Sequence, residues 1–288
     1  MSLPFNATLA APFAIGTIVV LCTGRRGEFP LEDTLGRYHR RAQTWRRVGL
    51  IVGLATAVVL MYGGLGPDPW LAGPVFGACV VAAVLASELL ITRPTGAVRT
   101  AGLTPRRVRD YLPRRHGPLL GLLLVAQAAV AAALMTVTSR MAASGSLLSY
   151  SCPNGSVMEI PRAALSPALG VLVSVVGGGG VCLLALRKIA ARPALPTSSP
   201  SRTMDNALRA ASTEAVTLAW GCLVASSLLA SALLANAYTD VLATAPCNVS
   251  GLLPFQVTSY LLIAGSAAAL IHLLVHLARL STARKAAA

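Results

Sequence analysis

The sequence predicts an all-α, polytopic membrane protein with seven transmembrane helices, the N-terminus outside and the C-terminus cytoplasmic. Two observations carry that expectation. Seven apolar segments, at about residues 3–22, 48–65, 71–91, 118–138, 166–186, 215–237 and 255–278, reach or approach the ~20 helical residues that a hydrocarbon core of about 30 Å requires. Twenty-two of the 24 Lys and Arg residues fall in the gaps 23–47, 92–117 and 187–214 and in the tail 279–288, leaving only Arg140 and Arg162 elsewhere. The positive-inside bias puts those gaps in the cytoplasm. A composition 55% hydrophobic and 12% charged, with mean hydropathy +0.68, excludes a soluble domain. The chain therefore reads as a single transmembrane domain, residues 1–288, multi-pass in the plasma membrane.

The net charge of +14 would point to nucleic acid in a soluble protein. Concentrated on one membrane side, it meets the lipid bilayer's anionic headgroups first, at about 1 kcal/mol per basic residue. No nucleic-acid partner is expected.

The first segment has no basic residue before its apolar run, and Arg25 and Arg26 follow it. That is the reverse of a secretory signal, so the segment is read as a retained helix. In the next gap Leu35, Tyr38, Ala42 and Trp45 recur at helical spacing, with arginines on the other faces. This predicts a separate interfacial amphipathic helix. The second and third segments follow, and Glu88 lies about one turn before Arg93. In the second basic gap Thr104 can cap a short helix that Pro105 opens and Pro113 stops. The run Ile91-Thr92-Arg93-Pro94-Thr95-Gly96-Ala97-Val98-Arg99-Thr100, continuing to Leu103-Thr104-Pro105-Arg106-Arg107, resembles multi-pass membrane proteins of actinobacteria. The resemblance covers a minor part of the chain. It implies an actinobacterial source and carries over no functional residue.

The fourth and fifth segments flank an outer loop holding Cys152, and the sixth and seventh flank one holding Cys247. The contexts Ser151-Cys152-Pro153-Asn154-Gly155-Ser156 and Pro246-Cys247-Asn248-Val249-Ser250 are alike. Two loop cysteines on the oxidising side predict a disulfide. The paired hairpins fit duplicated two-helix units, as does an Asp-x-x-x-Arg pattern in each basic gap (Asp33/Arg37, Asp110/Arg114, Asp205/Arg209). Residues 192–203, with Pro193, Pro196 and Pro200, read as a linker. Gly177, Gly178, Gly179 and Gly180 each cost about 1 kcal/mol against Ala in a helix. Such a run serves either close helix packing or a hinge.

Ionisable residues in helices are the default functional candidates of a membrane protein. Here they are few: Glu88, Glu214 opening the sixth helix, and His272 and His276 in the last turns of the seventh. They are the candidates for a ligand or proton relay. The two histidines share a helix face, a spacing that binds a transition metal when ligands join from other helices. Glu88 and Glu214 are the only candidates to supply them, and no Glu-x-x-His or His-Glu-x-x-His is present. The histidines are read as interfacial residues favoured at a helix C-terminus, and neither metal nor cofactor is expected. Gln127, Asn236, Ser226, Ser227 and Ser231 define no pathway by themselves.

No Gly-x-Ser-x-Gly, His-Glu-x-x-His or Walker pattern is present, no lysine falls in the seventh helix, and every aspartate is placed in a gap. An enzyme is not expected. The leading expectation is a transporter or the membrane subunit of a transport system. The alternatives are a membrane anchor or signalling protein whose basic loops dock a cytoplasmic or membrane partner, and an intramembrane enzyme using the His272/His276 region.

Overall fold

The computed structural model describes residues 11–15, 17–18, 33–62, 69–89, 115–139, 141–144, 147–152, 155–161, 167–191, 199–243, 247, 249 and 251–280. Six α-helices are defined among them: α1 (Asp33–Tyr62), α2 (Ala72–Leu89), α3 (Gly117–Ser139), α4 (Pro167–Ala190), α5 (Ser199–Ala243) and α6 (Leu253–Arg279). Residues 11–15 and 17–18 are also helical. The rest of the first predicted span, the capped helix expected at 104–113, the 91–107 resemblance and residues 192–198 lie outside the described residues.

Among the described residues, four stretches are long and apolar enough to cross a membrane: Thr44–Tyr62, Gly117–Ser139, Arg209–Ala243 and Leu253–Arg279, with Ala72–Glu88 a shorter one. Their outward faces are apolar as well. Leu122, Val125, Val176 and Leu261 are each about two-thirds exposed, which suits lipid and not water. These helices mark a membrane protein.

α5 is the axis of the bundle. Within its apolar stretch Arg209–Ala243, a window of 18 residues is 89% buried, and α2, α3, α4 and α6 all pack against it. Lipid supplies no hydrophobic force between helices, so close packing of small residues must hold them together. Glycines do this at several seams. A Cβ on Gly49 would run into Ala83, and one on Gly53 would press on Phe76 and Cys79, joining α1 to α2. Gly73 and Gly77 of α2 lie against the backbone of α5 at Ser226 and Leu223. Both pairs are Gly-x-x-x-Gly. Gly178 and Gly179 of α4 face Leu223 and Trp220 of α5, whereas Gly177 and Gly180 meet nothing within 4 Å. α4 remains helical through the run.

Three sequence expectations need correction. The amphipathic stretch at 35–45 is no separate interfacial helix, because α1 runs unbroken from Asp33 to Tyr62 with no proline in between. Likewise α5 starts at Ser199, inside the expected linker, with Pro200 suited to a first turn and no further proline before its end. Glu214 therefore lies well inside a helix and does not open one. Asp33, Asp205 and Asp240, placed in gaps, belong to helices.

The gap after α3 is not a plain loop. It holds a three-stranded antiparallel sheet, β1 (Ala142–Ser144), β2 (Leu147–Ser151) and β3 (Val157–Pro161), in the order β1-β2-β3. Tyr150 pairs with Met158 and Ser149 with Glu159. The β2–β3 turn is closed by Gly155 N donating to Cys152 O at 3.0 Å, and Gly155 adopts φ 83°, a conformation that glycine takes without a Cβ clash. Cys152 forms a disulfide with Cys247, Cα to Cα 4.9 Å, within the distance such a bridge allows. It ties the sheet to the connection between α5 and α6. Asp240 strengthens the same corner, accepting from Asn236 Nδ2 at 2.9 Å and from Gln256 Nε2 at 3.2 Å.

Candidate functional site

At the end of the bundle opposite the sheet, three of the chain's four histidines come together. His116 directly precedes α3, and its carbonyl accepts the helix's first bond, from Leu120 N at 3.0 Å. His272 and His276 lie in the last turns of α6, four residues apart on one face. The ring centres are 4.5 Å apart for His272 and His276, 5.2 Å for His116 and His276, and 6.3 Å for His116 and His272.

α5 contributes the carboxylate. Glu214 Oε1 lies 3.5 Å from His116 Nε2, an ion-pair distance beyond good hydrogen-bond length. The nitrogen is buried and makes no hydrogen bond. His116 is 3% exposed and the Glu214 side chain 30%. His272 is exposed and His276 half-buried, so the cluster opens toward the bundle end. Arg115 and Arg279, both exposed, stand at its rim.

Three helices meet here because one residue of α5 has no side chain. A Cβ on Gly221 would come within 2.9 Å of Leu120 Cδ2 on α3 and 3.1 Å of Leu273 Cδ1 on α6. Gly221 is seven residues, about two turns, from Glu214, hence on the same face. Leu120 lies one turn from His116, and Leu273 follows His272. The contact that locks the helices also aligns the ionisable groups above it.

A second polar feature closes this end. Arg209 of α5 is 2% exposed, and its Nη1 donates to the carbonyls of Ile189 and Ala190 at 3.4 and 3.3 Å. A cation on the last carbonyls of α4 satisfies groups that a helix leaves unpaired and opposes the negative end of its dipole.

Deeper in the bundle, Gln127 Nε2 of α3 donates to Ser231 Oγ of α5 at 3.3 Å. Gln127 Oε1 and Ser227 Oγ are buried without partners. Most other hydroxyls donate to their own helix, as Ser226 does to Leu223 O and Ser266 to Ile263 O. The cavity between α3 and α5, about 50 Å³, is lined by Ala133, Leu134, Val137, Ala235 and Tyr238. It is apolar but for the tyrosine.

Of the four residues singled out by sequence, the cluster takes in Glu214, His272 and His276. Glu88 is buried on α2, which runs antiparallel to α5, so it stands at the same end of the bundle but on another side of the axis. Sequence reasoning missed His116. The available signal was that His116, His272 and His276 all border gaps that the charge bias assigns to one side of the membrane. No protein family, curated protein or solved structure matches the chain.

Proposed function

We infer that the protein is a multi-pass plasma-membrane signalling or scaffolding subunit, with the histidine end and the basic gaps in the cytoplasm. The observation that carries this reading is where the ionisable groups sit: gathered at one end of a bundle whose axis is filled. A solute path needs polar side chains or water along its length. The axial helix is 89% buried over 18 residues of its apolar stretch, with Leu218, Cys222, Ala225 and Leu229 fully enclosed. A site at the bundle end can respond to the cytoplasm without conducting anything.

Native Cys222 tests this. It lies in mid-helix at 0% exposure. In sealed vesicles it should stay unmodified by water-soluble thiol reagents from either side, read by peptide mass mapping. Modification would mean that water enters the axis and would sink the reading. The transport reading would then lead, for which the support is the unpartnered Gln127 Oε1 and Ser227 Oγ beside Ser231.

A further inference from the structure

We propose that the histidine end is a cytoplasmic pH sensor: on acidification, charge on His272 and His276 pushes the end of α6 away from the start of α3. This rests on the reading that the histidine end is the working face, and it names what that face responds to, the proton. Among the described residues no three His, Cys, Asp or Glu side chains are placed to hold a metal ion. A proton needs no such convergence, only one ring nitrogen at a time. Imidazole is also the side chain whose charge ordinarily changes between about pH 5 and 8.

The charges around the cluster do not balance once it is protonated. Facing it are Arg115 beside α3, Arg279 of α6 and one carboxylate, Glu214 of α5. Arg209 of α5 is turned to the α4 carbonyls, and Glu88 of α2 stands on another side of the axis. α4, with Arg187 and Lys188 exposed, packs against α2, α3 and α5. Glu214 lies 3.5 Å from His116 Nε2, a buried nitrogen that makes no hydrogen bond. A proton on that nitrogen is matched, because the pair can close to a charge-assisted bond. Protons on His272 and His276 are not. Their ring centres are 4.5 Å apart, that of His276 is 5.2 Å from His116, and both arginines stand close by with the same sign.

The fold leaves a joint at which this repulsion can act. α3 and α6 each pack against α5 and barely against each other. The seam at Gly221 pins Leu120 and Leu273, but His116 and His276 lie beyond it, toward the bundle end. His272 is exposed and His276 half-buried, so protons and water enter from the open side.

The test is a distance measurement on the full chain in detergent. Cys22, Cys79, Cys182 and Cys222 are replaced by alanine, and spin labels are attached at Gly117→Cys and Leu280→Cys, at the start of α3 and just past α6. Gly117 is exposed, with nothing within 4 Å of an added Cβ. From about pH 7.5 to about pH 5.5, across the imidazole range, the separation should grow by about 2 Å or more, the size of helix shifts in switching proteins. The growth should vanish in His272→Gln/His276→Gln and persist in His39→Gln, which changes the fourth histidine, on α1. An unchanged separation overturns the proposal, as does full growth in His272→Gln/His276→Gln or its loss in His39→Gln. If the double variant fails to fold, His272→Gln at its exposed position must by itself reduce the growth, and full growth there is equally fatal. If the alanine background fails to fold, melting of the unlabelled native chain decides. Its melting temperature should fall over the same pH interval, and fall less in His272→Gln/His276→Gln; equal falls refute the sensor. Cys222 protection is read separately in the native chain at neutral pH, so loss of the pH response and loss of the signalling reading remain distinguishable.

Discussion

Gly221 of α5 seats the side chain of Leu273 on α6, so closely that a Cβ would stand 3.1 Å from Leu273 Cδ1. Leu120 of α3 presses on the same glycine from another side. We therefore expect Gly221→Leu to force both helices outward and lower stability by about 1–3 kcal/mol, the usual cost of overpacking. Gly221→Ala should cost less, because both obstructing atoms are ends of flexible leucines. Thermal melting in detergent checks both, and equal melting of wild type and Gly221→Leu would refute the packing role.

The glycine run of α4 makes a contrast within four residues. Gly178→Leu or Gly179→Leu meets Leu223 and Trp220 and should destabilise by about 1–3 kcal/mol. Gly177→Leu or Gly180→Leu meets open space and should be neutral or gain up to about 1 kcal/mol of helix propensity. A pattern in which all four behave alike would place the run elsewhere.

Arg209→Gln should lower stability by roughly 1.5–3 kcal/mol, the range for hydrogen bonds to a charged group. The Ile189 and Ala190 carbonyls would lose their donor. Arg209→Lys should recover part of that loss. Denaturant or thermal unfolding distinguishes the two, and an unaffected Arg209→Gln variant would show that water caps α4 as well as the guanidinium does.

Reducing the Cys152–Cys247 bridge, or replacing both with serine, should lower stability by roughly 2–5 kcal/mol, since it closes a loop of 95 residues. The oxidised protein should run faster on a non-reducing gel. Unchanged migration after reduction would show that the thiols are unpaired in the membrane.

Orientation is checked by two single cysteines. Val157→Cys in the sheet, 61% exposed, should react with an impermeant maleimide on intact cells. Arg115→Cys beside the histidines should react only after the membrane is opened. The opposite pattern would invert the topology.

The apolar spans were legible because bilayer thickness imposes a length on them, and α2, α3 and α6 end within about two residues of where the sequence put them. The true lengths of α1 and α5 were not, since hydropathy reports where a segment enters lipid and says nothing of a helix continuing into water. The sheet went unseen because strands of three to five residues leave little periodicity. Within the site, His272 and His276 announced themselves by spacing. His116 did not: it is a lone histidine at a helix start, and what gives it meaning is Gly221, about a hundred residues away in sequence. The two Gly-x-x-x-Gly pairs, Gly49/Gly53 and Gly73/Gly77, are readable in the sequence as close-packing spacings.

α5 is 45 residues long, a rod of about 67 Å at 1.5 Å per residue, against about 40–45 Å for a whole bilayer with its headgroups. Its apolar stretch begins at Arg209, so the surplus, residues 199–208, projects from the histidine end. α1 does the same, with residues 33–43 preceding its own apolar stretch. Two helical extensions thus continue past the apolar stretches at that end of the bundle. A load applied to the one on α5 travels down the core of the molecule, past Glu214 and Gly221, to Asp240 and the clamped sheet on the far side.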